Sequence, residues 1–219
     1  MTTLLHESIK CSVCKQKSDQ SVIGSTNTFG SMDTDTRPPE MERGTMPYWV
    51  QECPNCGYCS SDLSDKIDGA NRNIKGEEYV RILKGKSYPI LARQFLCNAY
   101  LFKKSEQFGN SGHRYLNAAW VCDDENMKPE SIICRKEALT MYELYIENNK
   151  SLSNNDISSQ KLLMTDIARR AEMFEEAYNH KVDGYDKTSD DYLIKIFDFQ
   201  GKLIKEKDSH CHKLEEVNL

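Results

Sequence analysis

Excess positive charge is missing from this chain: its 219 residues carry 29 Lys+Arg against 34 Asp+Glu, a formal charge of -5. Dividing the chain does not uncover a basic part. Residues 1–90 hold 11 basic against 12 acidic side chains, and the remainder 18 against 22. Without a basic face there is no electrostatic footprint for a phosphate backbone, so nucleic acid is not the expected partner. Long apolar runs are missing too. No segment approaches the roughly 18 to 20 apolar residues that span a bilayer, and "MTTLLHESIK" has neither the cationic start nor the apolar stretch of a secretory signal. A soluble, cytoplasmic protein with no membrane partner is expected. Histidine is scarce, at five residues, and no H-E-x-x-H, P-loop, G-x-G-x-x-G or recognisable Ser-His-Asp set appears.

Cysteine, by contrast, is abundant, with nine residues. An odd number in a reducing compartment does not read as a disulfide framework, and clustered pairs there point to metal or catalysis. Two C-x-x-C elements stand out, Cys11/Cys14 in "CSVCK" and Cys53/Cys56 in "CPNCG". Together they offer four thiolates, the number that closes a tetrahedral structural zinc site. Two intervening residues let a tight turn aim both sulfurs at one point. Gly57 follows the last ligand, where a positive φ is often needed, and Pro54 stiffens the turn. Four thiolates leave no open coordination position, so Zn2+ here is expected to be structural. The competing reading is a redox dithiol, which expects a thioredoxin-like βαβ setting that this sequence lacks.

The two pairs are separated by 38 residues, against roughly 15 to 20 in the compact four-cysteine pattern. About twenty residues must therefore loop out of the ribbon, with "FGSMDTDTRPPEMERG" as the candidate; its Gly30, Pro38, Pro39 and Gly44 disfavour regular structure. "YWV" alternates into the second knuckle like a short strand. Within the loop, Asp33 and Asp35 alternate as D-x-D, which on an extended strand puts both carboxylates on one side. With Arg37 they could hold a second metal and an anionic substrate; the plainer reading is a loop tied down by Arg37 pairing with an aspartate. Cys59 is a fifth thiol near the pairs, either a small buried residue or a reactive one. Tyr48 and Trp49 could stack on bases or fill the ribbon's small core. "HCH", residues 210 to 212, reads as a solvated tail with weak capacity for metal.

From about Glu77 the grammar changes to apolar residues at three- and four-residue steps, the mark of amphipathic helices. Leu91, Phe95, Ala99 and Phe102 form one face, and Tyr115, Ala119 and Cys122 another. Pro129 and Glu130 suit the first turn of a third helix, continued by Cys134, Ala138, Met141 and Tyr145. "NNKSLSNNDISS" interrupts before Leu163, Ile167, Ala171 and Phe174, and the series closes with Leu193, Ile196, Phe197, Gln200, Leu203 and Ile204. In "LLMTDIARRAEMFEEAYNH", Ala168 and Ala177 would let two helices approach while Phe174 fills the space between them, as in a tetratricopeptide (TPR) hairpin. No clean 34-residue period emerges. A plain helical bundle is the alternative.

The expected fold is mainly α: a small zinc-ribbon-like domain over residues 1–65 and an antiparallel, TPR-like helical array over residues 77–212. "DTDTRPPE...TMPYWVQECPNCGYCSS" resembles the uncharacterised bacterial family of domain of unknown function 2225 proteins. The resemblance rests on Asp33, Asp35, Arg37 and Pro38, on Pro47 and Tyr48, and on Cys53 to Tyr58, joined to the earlier cysteine pair. It implies a helical, TPR-like C-terminal region, and "DIARRAEMFEEA" is similar to its hairpin. Lys15 departs from the family's usual glycine, and Cys59 from a small apolar residue such as alanine. The family implies no activity. The function expected is therefore a zinc-binding interaction or scaffold module whose helical groove receives a protein or peptide. The alternatives are an enzyme using the Asp33/Asp35/Arg37 loop, and a nucleic-acid-binding zinc ribbon.

Overall fold

The computed structural model describes residues 2–217. It is mainly α, with small antiparallel sheets confined to the N-terminal part. Strands β1 (Thr3–Lys10) and β2 (Lys17–Ser25) form a hairpin whose turn carries Cys11 and Cys14. This hairpin has little sequence signal because neither strand has a buried residue, so apolar and polar positions do not alternate. A second, minimal hairpin pairs β3 (Gln51–Glu52) with β4 (Cys59–Ser60) around Cys53 and Cys56. "YWV" is not a strand: Met46–Tyr48 make a 3-10 turn, and pairing begins only at Gln51.

Between the hairpins runs the Asp33–Arg37 segment, followed by the short helix α1 (Glu40–Arg43). Helices α2 (Ala70–Asn73), α3 (Glu77–Lys84), α4 (Ile90–Lys104), α5 (Phe108–Asp124), α6 (Lys128–Asn148), α7 (Asn154–Arg170), α8 (Phe174–Tyr185) and α9 (Asp191–Glu206) follow. Pro129 does sit in the first turn of α6. The polar stretch after α6 is shorter than expected, because Ser153 and Asp156 form a reciprocal capping box that starts α7 at Asn154.

Connections α4/α5, α5/α6 and α7/α8 repeat one three-residue turn. In each, the middle residue is left-handed: Glu106 (φ 59), Asn126 (φ 58) and Glu172 (φ 62). The next amide then reaches back five residues, Gln107 to Phe102, Met127 to Cys122 and Met173 to Ala168, at 2.8 to 2.9 Å. This double closure satisfies the last carbonyls of a helix and reverses the chain at once, so neighbours pack antiparallel. It also splits the face running from Leu163 to Phe174 between two helices. Ala168 and Ala177 are both fully buried in the resulting α7/α8 pair. Gly184 lets α9 approach: a Cβ there would stand 2.5 Å from Phe197 Cζ and 2.8 Å from Lys161 Cβ.

One hydrophobic core runs from the cysteine turns through Tyr58, Tyr79, Phe95 and Trp120 to Met164 and Ile204. Tyr79 of α3 joins the two parts, because its hydroxyl donates to Gly57 O at 2.8 Å and accepts from Cys59 N at 3.1 Å. Residues 208–217 are packed rather than a free tail. His212 O accepts from Thr34 N at 2.8 Å, Leu214 N donates to Met32 O at 2.9 Å, and Val217 is buried. His210 alone of the two histidines stays in solvent.

Candidate metal centre

The two C-x-x-C turns are built alike. Cys11 N donates to Gln16 O at 2.9 Å and Cys53 N to Tyr58 O at 2.8 Å; Lys15 N reaches Cys11 O at 3.0 Å and Gly57 N reaches Cys53 O at 2.8 Å. The residue after the second cysteine is left-handed in both, Lys15 at φ 65 and Gly57 at φ 73. Backbone amides two residues on, Gln16 and Tyr58, hydrogen-bond the sulfurs of Cys14 and Cys56. Each turn thus presents one buried and one partly exposed sulfur.

The turns meet face to face. Cys11 Sγ lies 3.8 Å from Cys56 Sγ and Cys14 Sγ 3.6 Å from Cys53 Sγ, and all four sulfurs fall within 4.8 Å of one another. Sulfurs bonded at 2.3 Å to one tetrahedral ion are separated by about 3.8 Å, whereas a disulfide closes to about 2.05 Å. The spacing fits a shared ion. Burial pushes the Cys53 and Cys56 thiols up, while at Cys14 hydrogen bonds from Asn55 and Gln16 overcome burial and bring the thiol to about 6. Several thiolates at this range need a cation between them, so the donor set fits a metal that enters as protons leave.

Lys15 occupies a conformation that suits glycine, and it offsets part of the cost by donating from Nζ to Ser12 O at 2.6 Å. Lys15→Gly is therefore expected to leave metal content unchanged and to raise stability by up to ~1 kcal/mol. Gly57→Ala is expected to lower it by more, because the new Cβ would meet Leu83 Cδ2 at 2.6 Å as well as the left-handed φ. Denaturant midpoints of the two variants, compared at equal metal loading, check both signs.

Cys59 is not one of the four sulfurs. It is fully buried, and its hydrogen bond with Cys97, together with burial, pushes its thiol well above the ordinary range. Its reactive reading loses support because the nucleophilic thiolate is disfavoured.

Asp33, Asp35 and Arg37 lie away from solvent, and their segment folds onto the helices rather than hanging free. The D-x-D stretch is a turn closed by Asp33 N to Arg37 O at 2.9 Å, with Thr36 left-handed at φ 69, so the extended-strand geometry is absent. Asp33 accepts from Arg43 Nη2 at 2.7 Å. Arg37 pairs with Asp124, at the end of α5, and faces the Trp120 ring. Asp35 accepts from Trp120 Nε1 at 2.8 Å and pairs with Arg170, with Arg135 at 3.8 Å. These partners consume the charges that a substrate would have to meet.

Sequence reasoning did not find those partners. Asp123 binds Arg135 Nη2 and Arg170 Nη2, each at 2.6 Å. Burial acts to raise its carboxyl, but the two guanidinium groups outweigh it and hold the group below the usual carboxylate range. Asp166, which unlike Asp123 is fully buried, binds Arg169 at 2.6 Å, Gln200 at 2.7 Å and Thr34 at 2.8 Å. The available signal was "IARRAE", two arginines set among alanines on a core-facing helix.

Among the described residues no helix is long and apolar enough to cross a membrane. No curated protein and no solved structure matches the chain. The paired cysteine turns, the buried D-x-D-x-R-P turn and the helices behind them lie in residues 4–182, the span matched by the model of DUF2225, "Uncharacterized protein conserved in bacteria", and the chain belongs to that family.

Proposed function

We propose that this chain is a cytoplasmic partner-binding module, in which a structural Zn2+ held by Cys11, Cys14, Cys53 and Cys56 fixes a ribbon against a TPR-like helical array. The observation that carries the binding role is a pair of open cavities that share His113 in their walls. One, about 510 Å³, runs along the ribbon side past Tyr48, Trp49 and Trp120. The other, about 500 Å³, continues between α5, α6 and α7 past Tyr142 and Tyr145. Trp120 and Tyr142 are buried, but the half-buried Tyr48, Trp49 and Tyr145 supply contact area at low entropic cost, and helical arrays bind extended segments along such surfaces. Gln160 adds a polar handle: its Nε2 is buried on this wall without a hydrogen-bond acceptor, which a peptide carbonyl would provide. Zinc is favoured over other ions by four sulfur donors in a closed tetrahedron.

The test is selection of peptides from a displayed random library by the zinc-loaded protein. Enriched peptides are expected to bind with Kd on the order of micromolar and to weaken about tenfold or more against Trp49→Ala and Tyr145→Ala. Enrichment of nothing, or binding indifferent to both substitutions, would remove the proposal.

A further inference from the structure

A second cluster of metal-ligating side chains stands outside the cysteine centre. Glu176 and His180 are four residues apart on α8, which brings them to one helix face, and Glu143 of α6 reaches the same point. Ligand atoms of the three lie within 4.8 Å of one another. His180 has 8% of its side chain exposed, and its Nε2 is buried without a hydrogen-bond partner. That nitrogen is aimed at Glu176 Oε1 from 3.7 Å, too long for a hydrogen bond. Donors bonded at about 2.1 Å to one ion would stand about 3.0 Å apart at octahedral angles and about 3.4 Å apart at tetrahedral ones, so a small closing of the three side chains completes the site. The geometry points to a second divalent-cation site formed by Glu143, Glu176 and His180, suited to a first-row ion such as Mn2+ or Fe2+.

The donor chemistry differs from the ribbon's. Two carboxylates and one imidazole form a nitrogen and oxygen set with positions left for water, which favours harder ions than four thiolates do. Burial and the charge of Glu143 raise the Glu176 carboxyl, against Lys136, so the two carboxylates oppose each other's charge and a cation between them would relieve it. Burial and Lys161 hold His180 near 4, leaving the neutral imidazole that ligation requires. Lys161 Nζ sits 3.4 Å from His180 Nδ1, at the limit of a hydrogen bond, and 3.0 Å from Asp183 Oδ2. Ligation through Nε2 moves the ring proton to Nδ1, and Lys161 then rests on Asp183.

Mn2+ is the probe, because its preference for oxygen over thiolate leaves the zinc centre alone. Titrating zinc-loaded protein and following the loss of the free Mn2+ paramagnetic resonance signal is expected to show one bound ion per chain. Glu143→Gln and Glu176→Gln should each weaken it by at least the ~10-fold that losing even an outer partner costs, with zinc content and thermal melting unchanged. Glu143 is exposed, so its substitution does not threaten the fold. No bound Mn2+ at millimolar concentration, or binding that survives both substitutions, overturns the site.

Discussion

Stripping the metal from this protein, or replacing Cys53 by serine, is expected to release residues 3–25 while leaving the helices from α4 to α9 folded. The β1/β2 hairpin lies mostly in solvent, and an isolated two-stranded hairpin is marginal in water. Its attachment runs through the Cys11–Cys14 turn, with Ser12 N to Leu63 O at 2.7 Å and Ser12 Oγ to Asp65 O at 2.8 Å, and through β2 against the Met46–Tyr48 turn. In small metallo-domains a structural zinc contributes on the order of 10 kcal/mol of apparent folding free energy, far more than two hydrogen bonds. Amide hydrogen exchange before and after chelation checks this. Protection in residues 3–25 should collapse, whereas that of Trp120 or Met164 should persist. Retained protection of the hairpin in metal-free protein would show that packing alone holds it.

Asp35→Ala is expected to destabilise the helical part by about 3 kcal/mol, the cost of leaving a buried donor unsatisfied and a buried arginine with one counter-charge fewer. For a chain of this size that corresponds to a fall in melting temperature of about 10 °C. Asp35 is fully buried, and its loss strands the Trp120 indole and removes one counter-charge from Arg170. Asp123 remains beside Arg170 and Arg135, so the arginines are not left wholly unpaired. Asp35→Asn preserves an acceptor for Trp120 without the charge, and its melting temperature should fall between those of wild type and Asp35→Ala. Thermal melting of all three at equal metal content decides the matter. Equal melting temperatures would mean that the D-x-D-x-R-P turn does not anchor the ribbon to the helices.

These expectations combine two kinds of information that the sequence carries unequally. The four clustered cysteines were legible because C-x-x-C is local: two residues and a tight turn already fix both sulfurs. The helices were legible through periodicity, since Leu91, Phe95 and Ala99 repeat with the turn of the helix. Helix ends were less so. Glycine usually marks the left-handed closing residue, and here Glu106, Asn126 and Glu172 take its place, so the punctuation is missing. The exposed β1 and β2 strands gave no alternation to read. For the loop between the knuckles, the pairing of Arg37 with an aspartate was legible as a kind of contact, and the structure has it with Asp124, but which residues serve as partners was not. Arg43 is local to Asp33, but Asp124, Trp120, Arg135 and Arg170 lie about 85 to 135 residues further along, a pairing that no local pattern encodes. Glu143, Glu176 and His180 are hidden in the same way, because only two of the three share a helix.

The measurement that bears most directly on the central claim is zinc stoichiometry with X-ray absorption at the zinc edge, on protein purified without chelator. One zinc per chain, with four sulfur neighbours at about 2.3 Å and no nitrogen or oxygen in the shell, is the predicted result. Protein that is folded through residues 3–25 yet carries no metal, or whose zinc shell contains fewer than four sulfurs, would contradict it.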